Sequence, residues 1–355
     1  MHDSWEQLLE FLAQYRRLEE LELVYPINHA TLKLPDHVWP SIEYLHLKGA
    51  GDIPYASHQL FSHFGKLSNL RHLKISGSDN LNGMDRIVPW HQLRTFEVST
   101  WERPPVVTPS WCLNVLRQSR LLERCCITLS KESLLASTVI SMVEETVLAN
   151  MDYIQVQFRD GLAVPLFLQS LVMPNITTFS LRRIITSESF HELSCDMPAL
   201  IGIIQRSGGM RRIRRLEIDT SPVLDIGVLL ELLPSLDTVY FQSGQLSDNS
   251  IRRLSSGKLG PRLCNIYLST VLHDANQILS MVESRYQSST LSLDSEQIED
   301  TPCPFKSISI PCEDTSIDVR LYINKIKLLS EKCDASINLG LEPGRLCNLL
   351  GSLPW

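Results

Sequence analysis

The sequence predicts an α/β solenoid, with short parallel strands lining one face and helices covering the other. Three observations predict it. A triplet of apolar residues at relative positions 1, 4 and 6 recurs along the chain, the copies follow at a nearly constant interval, and helix signals fill the intervals. The clearest copy is Leu263-Cys264-Asn265-Ile266-Tyr267-Leu268. Its positions 4 and 6 alternate with polar residues, as a half-buried strand requires, and position 1 anchors the lead-in.

In chain order the triplets are Leu18, Leu21, Leu23; Ile42, Leu45, Leu47; Leu70, Leu73, Ile75; Leu93, Phe96, Val98; and Leu122, Cys125, Ile127. Next come Met151, Ile154, Val156; Ile176, Phe179, Leu181; Ile213, Leu216, Ile218; Leu236, Val239, Phe241; and the copy at Leu263. Phe305, Ile308, Ile310 also fits, whereas Asp334, Ile337, Leu339 fits only at its last two positions. Steps between first positions run from 23 to 29 residues, apart from 37 between Ile176 and Ile213 and 42 between Leu263 and Phe305. The regular steps match the roughly 20 to 29 residue period of leucine-rich repeats. The expected fold is therefore a leucine-rich repeat horseshoe of about twelve irregular repeats, one domain over residues 1–355.

The intervals supply the helices. Ser4 and Gln7 form a capping box before Leu8, Leu9 and Leu12, giving an N-terminal helix of the first repeat within residues 1–17. Amphipathic candidates follow at Ser57 to Leu67, Pro109 to Gln118 and Leu134 to Leu148. Asp196 before Pro198, and Ser221 before Pro222, are N-cap signals for helices ending near Gly208 and Pro234. Gly208-Gly209 suits a helix C-cap. Asp274 opens a helix through Tyr286, and a last one runs from about Ile317 to Lys332. A right-handed crossover places each helix on the same side of the sheet. The two long steps read as loop insertions at 186–195 and 288–304, with a degenerate strand possible at Thr290 to Leu293, and 342–355 reads as a C-terminal cap.

Repeats of the best-known type carry Asn at position 9. Here that position holds Pro26, Ala50, Ser78, Trp101, Ser130, Arg159, Ile184, Ser221, Gly244 and Val271. The chain resembles instead the irregular leucine-rich repeat regions of fungal, mushroom-type F-box proteins. The resemblance is carried by phrases such as Pro89-Trp90-His91-Gln92-Leu93, Leu171-Val172-Met173-Pro174-Asn175, Leu232-Leu233-Pro234-Ser235-Leu236 and Met281-Val282-Glu283-Ser284-Arg285. It implies a substrate-binding region of a Skp/cullin ubiquitin ligase component, with a Skp adaptor as partner only if an F-box is supplied upstream. No F-box is evident. Leu34-Pro35-Asp36-His37-Val38-Trp39 superficially looks like an F-box opening but runs straight into the Ile42 strand, leaving no room for three helices.

Composition narrows the function classes. A net charge of -7 argues against nucleic acid or anionic membrane as a general partner. The N-terminus lacks a basic region before its apolar residues, and no apolar run reaches membrane length. Nine cysteines without a CxxC pair suit reduced thiols, hence an intracellular protein, cytoplasmic or nuclear. The chain carries no nucleophile elbow, Walker loop or dinucleotide fingerprint. His58, His63 and His72 have no acidic or Cys partner at ligand spacing, and Cys303 and Cys312 do not define a zinc site. Alternation places Cys125 in the core and Cys126 on the surface. The expectation is a non-enzymatic monomer with no cofactor and no metal. The alternatives are a scaffold with no ubiquitin role and a leucine-rich GTPase-activating protein, although the Glu342 to Trp355 end lacks the acidic tail usual in the latter.

Strand alternation aims positions 3, 5 and 7 at the concave face. Tyr and Arg recur there, the residue types that dominate interface hot spots. The candidate protein-binding residues are Tyr44, His46, His72, Arg124, Tyr153, Arg182, Arg215, Tyr240 and Tyr267. The basic run Arg211-Arg212-Ile213-Arg214-Arg215 lacks the aromatic interleaving of a nucleic-acid groove and reads as a solvated strand start facing Glu217 and Asp219.

Overall fold

The computed structural model describes residues 19–25, 38–49, 64–76, 88–99, 107–129, 145–158, 164–184, 197–208, 211–219, 224–269, 273–291, 302–311 and 319–339. Twelve strands form one parallel sheet in chain order. They are β1 (Glu20–Tyr25), β2 (Tyr44–Gly49), β3 (His72–Ser76), β4 (Thr95–Ser99), β5 (Arg124–Leu129), β6 (Tyr153–Phe158), β7 (Thr178–Arg183), β8 (Arg215–Ile218), β9 (Thr238–Phe241), β10 (Asn265–Leu268), β11 (Ser307–Ser309) and β12 (Ser336–Asn338). Each lies on one predicted triplet. An all-parallel sheet with consecutive strands adjacent and helices between them is the architecture of a leucine-rich repeat solenoid.

The chain divides into two compact units, residues 1–176 with 183–190 and residues 177–182 with 191–355. The first carries β1 to β6 and, among the described helices, α1 (Pro109–Gln118) and α2 (Val164–Gln169). Single 3-10 turns at Trp39–Ser41, Phe64–Lys66 and Trp90–Gln92 stand ahead of β2, β3 and β4. Thr108 caps α1 by accepting from the Trp111 N–H at 3.2 Å. Helix α1 buries Cys112, Leu113, Val115 and Leu116, and Cys112 and Cys125 of β5 are both completely enclosed. Burial pushes both thiols well up.

The second unit carries β7, apart from its last residue, to β12, with α3 (Met197–Arg206), α4 (Ile226–Leu232), α5 (Asp248–Ser255), α6 (Ala275–Leu291) and α7 (Val319–Cys333). Gly208 follows α3 at φ +69°, the left-handed backbone expected of a C-cap glycine. Ser247 caps α5 by accepting from the Ser250 N–H at 3.2 Å. Arg285 of α6 is fully buried beneath the loop between α5 and β10. Its guanidinium donates to the carbonyls of Leu254 (2.9 Å), Leu259 (3.3 Å), Gly260 (2.7 Å), Pro261 (3.0 Å), Leu263 (3.4 Å) and Cys303 (2.8 Å). It also stacks 5.0 Å from the Phe305 ring centroid. Burial lowers its pKa to about 10, so it stays charged at neutral pH.

The repeat register is set at the start of each strand. First-position residues from Ile42 to Phe305 are at most 2 % exposed. The N–H of position 1 donates to the carbonyl three residues back: Ile42 to Trp39, Leu70 to Leu67, Leu93 to Trp90, Leu122 to Ser119, Met151 to Leu148, Leu236 to Leu233 and Leu263 to Gly260. The carbonyl of position 2 then accepts two N–H groups from the next repeat. Glu43 and Tyr44 both donate to Glu19, Arg71 and His72 to Glu43, and Asp237 and Thr238 to Arg214. In the turn before the last strand Asp334, the non-apolar first position of the incomplete triplet, has φ +50°, in the left-handed region that Asp tolerates better than most residues.

Several local expectations are corrected. Thr146–Val147, expected at the end of a helix, is instead a short strand paired with Leu171–Val172. Asp225, not Ser221, caps α4, because its carboxylate accepts from the Gly227 N–H at 2.9 Å. Of the Ser57 to Leu67 helix only the 3-10 turn Phe64–Lys66 falls among the described residues. Helix α6 runs through Thr290 to Leu291, so the segment expected as a loop from 288, with its possible strand, begins as helix. The helix expected within residues 1–17, the insertion at 186–195 and the cap at 342–355 lie outside the described residues.

Candidate functional site

Positions 4 and 6 carry the core, so positions 3 and 5 of each strand lie on the opposite face of the sheet. The register aligns them in columns: Glu20, Tyr44, His72, Thr95, Arg124 and Tyr153 at position 3 of the first unit, and Arg215, Thr238 and Asn265 in the second. Each column runs perpendicular to the strands at about 4.8 Å per step.

In the first unit Tyr44, His46 and His72 fall together. The Tyr44 and His72 rings are 6.3 Å apart, and burial, ahead of nearby charges, raises the Tyr44 pKa. His46 Nε2 shares a 3.0 Å hydrogen bond with Ser76 Oγ, and its Nδ1 stands 3.6 Å from Glu22. His72 Nδ1 shares one of 2.8 Å with Thr95 Oγ1. Beside them Lys74 pairs with Glu97 at 2.8 Å. Arg124 and Tyr153 form a second group, the guanidinium 4.5 Å above the ring centroid. The Tyr153 hydroxyl donates to Gln155 Oε1 at 2.8 Å. Burial pushes the Cys126 thiol up to about 11.

In the second unit Arg182 and Arg215 converge on Glu217, which is only 4 % exposed. Arg182 donates to Oε2 through Nη2 at 2.7 Å and Nε at 3.2 Å, Ser180 Oγ donates to the same oxygen at 2.9 Å, and Arg215 Nε donates to Oε1 at 2.6 Å. Burial alone would raise the Glu217 pKa. The charge and hydrogen bonds of Arg182, then the charge of Arg215 and the Ser180 hydroxyl, outweigh it and the net shift is downward. Tyr240 and Tyr267 pair directly across β9 and β10, both half-buried. Ser269 Oγ donates to the Tyr240 hydroxyl at 3.4 Å, and Asn265 Nδ2 to Thr238 Oγ1 at 3.0 Å.

The face is less uniformly open than alternation alone implies. Ser76 and Thr128 at position 7, and Gln155, Ser180 and Glu217 at position 5, are buried. Around Glu217 the reason is visible: the two arginines lie across it. All nine candidate residues are nevertheless exposed or half-buried. Among the described residues no group of three or more His, Cys, Asp or Glu side chains is placed to hold a metal ion. His58, His63 and Cys312 lie outside them.

Sequence reasoning missed a second set of side chains at the strand starts. Asn69, Asn150 and Asn175, each directly preceding position 1, donate to the carbonyls of Pro40 (2.7 Å), Arg120 (2.9 Å) and Ala149 (2.7 Å) in the preceding repeat. Gln92, at the same place, reaches one residue further to Leu67 O at 2.6 Å. These amides link successive repeats where position 9 offers none. The signal was an amide recurring one residue ahead of the triplet.

No family model matches this chain, and no curated protein does. Among solved structures, an internalin (inlF) from Listeria monocytogenes is similar at a TM-score of 0.36 with 13% identity, covering 77% of this chain and 86% of that chain. The class stands on the chain's own geometry: twelve parallel rungs in repeat register make it a leucine-rich repeat α/β solenoid. Among the described residues no helix is long and apolar enough to cross a membrane.

Proposed function

We propose that this chain is a non-catalytic protein-recognition module that binds a protein partner through positions 3 and 5 of its strands, together with Arg182 at position 7. One observation supports this above the rest. The face opposite the core presents Tyr and Arg side chains already held by neighbours: Arg124 on Tyr153, Arg182 and Arg215 on Glu217, and Tyr240 beside Tyr267. Side chains held in place before binding lose less entropy on association. In the first unit the contributing residues are Tyr44, His46, His72, Arg124 and Tyr153, and in the second Arg182, Arg215, Tyr240 and Tyr267.

The resemblance to fungal F-box proteins supports a finer reading, in which the partner is a ubiquitination substrate and a Skp adaptor joins through an F-box upstream. A scaffold without a ubiquitin role uses the same face. Quantitative affinity capture with the wild-type chain and with Tyr240→Ala/Tyr267→Ala tests the first reading. A protein retained by the wild type and lost by the folded variant is expected, and identical retention by both rejects the face. Co-purification of a Skp adaptor with the full-length gene product separates ligase component from scaffold.

A further inference from the structure

The strand starts of the second unit carry a charged surface that the sheet face does not use. Arg211 and Arg212 occupy the turn before β8, Arg262 the equivalent turn before β10, and Lys258 the loop leading to it. Arg214 and Lys306 stand at position 2 of the eighth and eleventh rungs. All six are exposed. The backbone joins these rungs side by side: Asp237 N donates to Arg214 O, Cys264 N to Asp237 O and Lys306 N to Cys264 O, each at 2.8 Å. At about 4.8 Å per rung, Arg214 and Lys306 lie about 15 Å apart. Of the six cations, only Arg214 is ion-paired among the described residues, with Asp237 at 3.4 Å.

Neither composition nor the repeat demands this. The chain as a whole is net acidic at -7. In the first unit the position-2 column mixes signs, through Glu19, Glu43, Arg71, Arg94, Glu123 and Asp152. Asp237 at position 2 of the ninth rung and Asp334 at the start of the twelfth stand along the same edge, but the five cations other than Arg214 have no ion pair among the described residues, and their excess positive charge repels itself. We infer that this rim is the docking surface for an acidic polypeptide segment, a run of Asp and Glu on a protein partner. Charge complementarity selects the sign of the occupant. Its class follows from what the rim lacks: surfaces for single-stranded nucleic acid interleave cations with aromatic stacking platforms, and no aromatic side chain lies among the described turn and position-2 residues here. The rim is separate from positions 3 and 5, so the inference stands whether or not the sheet face binds.

Fluorescence anisotropy of a dye-labelled Glu/Asp-rich peptide, titrated with the full chain, tests it. The peptide binds at low salt and weakens as ionic strength rises. The reversed variant Arg211→Glu/Arg212→Glu/Arg262→Glu loses about tenfold or more in affinity, and Lys66→Glu/Arg120→Glu on the first unit changes nothing. Circular dichroism melting establishes that each variant is folded. If the reversed variant does not fold, Arg211→Gln/Arg212→Gln/Arg262→Gln replaces it and loses severalfold. Three results overturn the inference: no peptide binding by the wild type, equal binding by the folded rim variant, or tighter binding of a single-stranded DNA of matched charge.

Discussion

Two buried charges are held in opposite ways. Arg285 has no carboxylate partner among its hydrogen bonds; six carbonyls, from the last turn of α5, the segment that follows it and Cys303, accept from its N–H groups. Arg285→Met removes the donors and leaves those carbonyls enclosed, and is expected to cost about 3–5 kcal/mol in urea denaturation. Arg285→Lys recovers little, because an ammonium cannot fork to that many acceptors. Glu217 is instead an anion under two half-exposed arginines, and Glu217→Gln costs about 1–2 kcal/mol after solvent screening at those arginines is discounted. Its folded pKa lies below the ordinary value of 4.5, so its contribution is complete above 4.5 and fades as pH falls through the lower folded value. Stability measured against pH for wild type and Glu217→Gln therefore converges in acid. Arg285 was not legible in the sequence, because carbonyl partners carry no residue identity. Glu217 was legible as a polar position, but its burial depends on where Arg182 and Arg215 lay their side chains.

At the scale of the strand and its turn, the apolar template was readable because burial enforces it. Ile266 and Leu268 are each 1 % exposed while Tyr267 between them is half-buried. Leu268→Ala is expected to cost about 2–5 kcal/mol in denaturant unfolding, whereas Tyr267→Ala leaves stability nearly unchanged. What the three-position template did not contain was the lead-in turn. Trp39, Leu67, Trp90, Leu148, Met173 and Leu233, three residues ahead of position 1, are all buried, and their varied sizes hide the column from a search for one residue type. The amides at Asn69, Asn150 and Asn175 escaped for a related reason, since Gln92 and other residues take their place in intervening repeats. Asn150→Ala is expected to cost about 0.5–1 kcal/mol, less than a buried hydrogen bond because the side chain is exposed. Helix boundaries failed where capping choices competed: Asp225 lies next to its helix and Ser221 four residues too early.

For the molecule as a whole, twelve rungs packed on their neighbours make stability a sum of local terms. Hydrogen exchange followed by mass spectrometry on Leu268→Ala is expected to show faster exchange first in β9, β10 and β11, with the loss diminishing rung by rung; uniform loss throughout the chain would contradict a nearest-neighbour fold. The doubly accepting carbonyl at position 2 has a consequence for how such a chain tolerates change. It fixes the alignment of the next strand at its first peptide, whatever length of chain lies between. Repeats of 23 and 42 residues therefore meet the sheet in the same phase, and an error in spacing is cancelled at the following rung instead of being passed along. The connecting segments are free to lengthen, shorten or diverge without disturbing the faces that the rungs present.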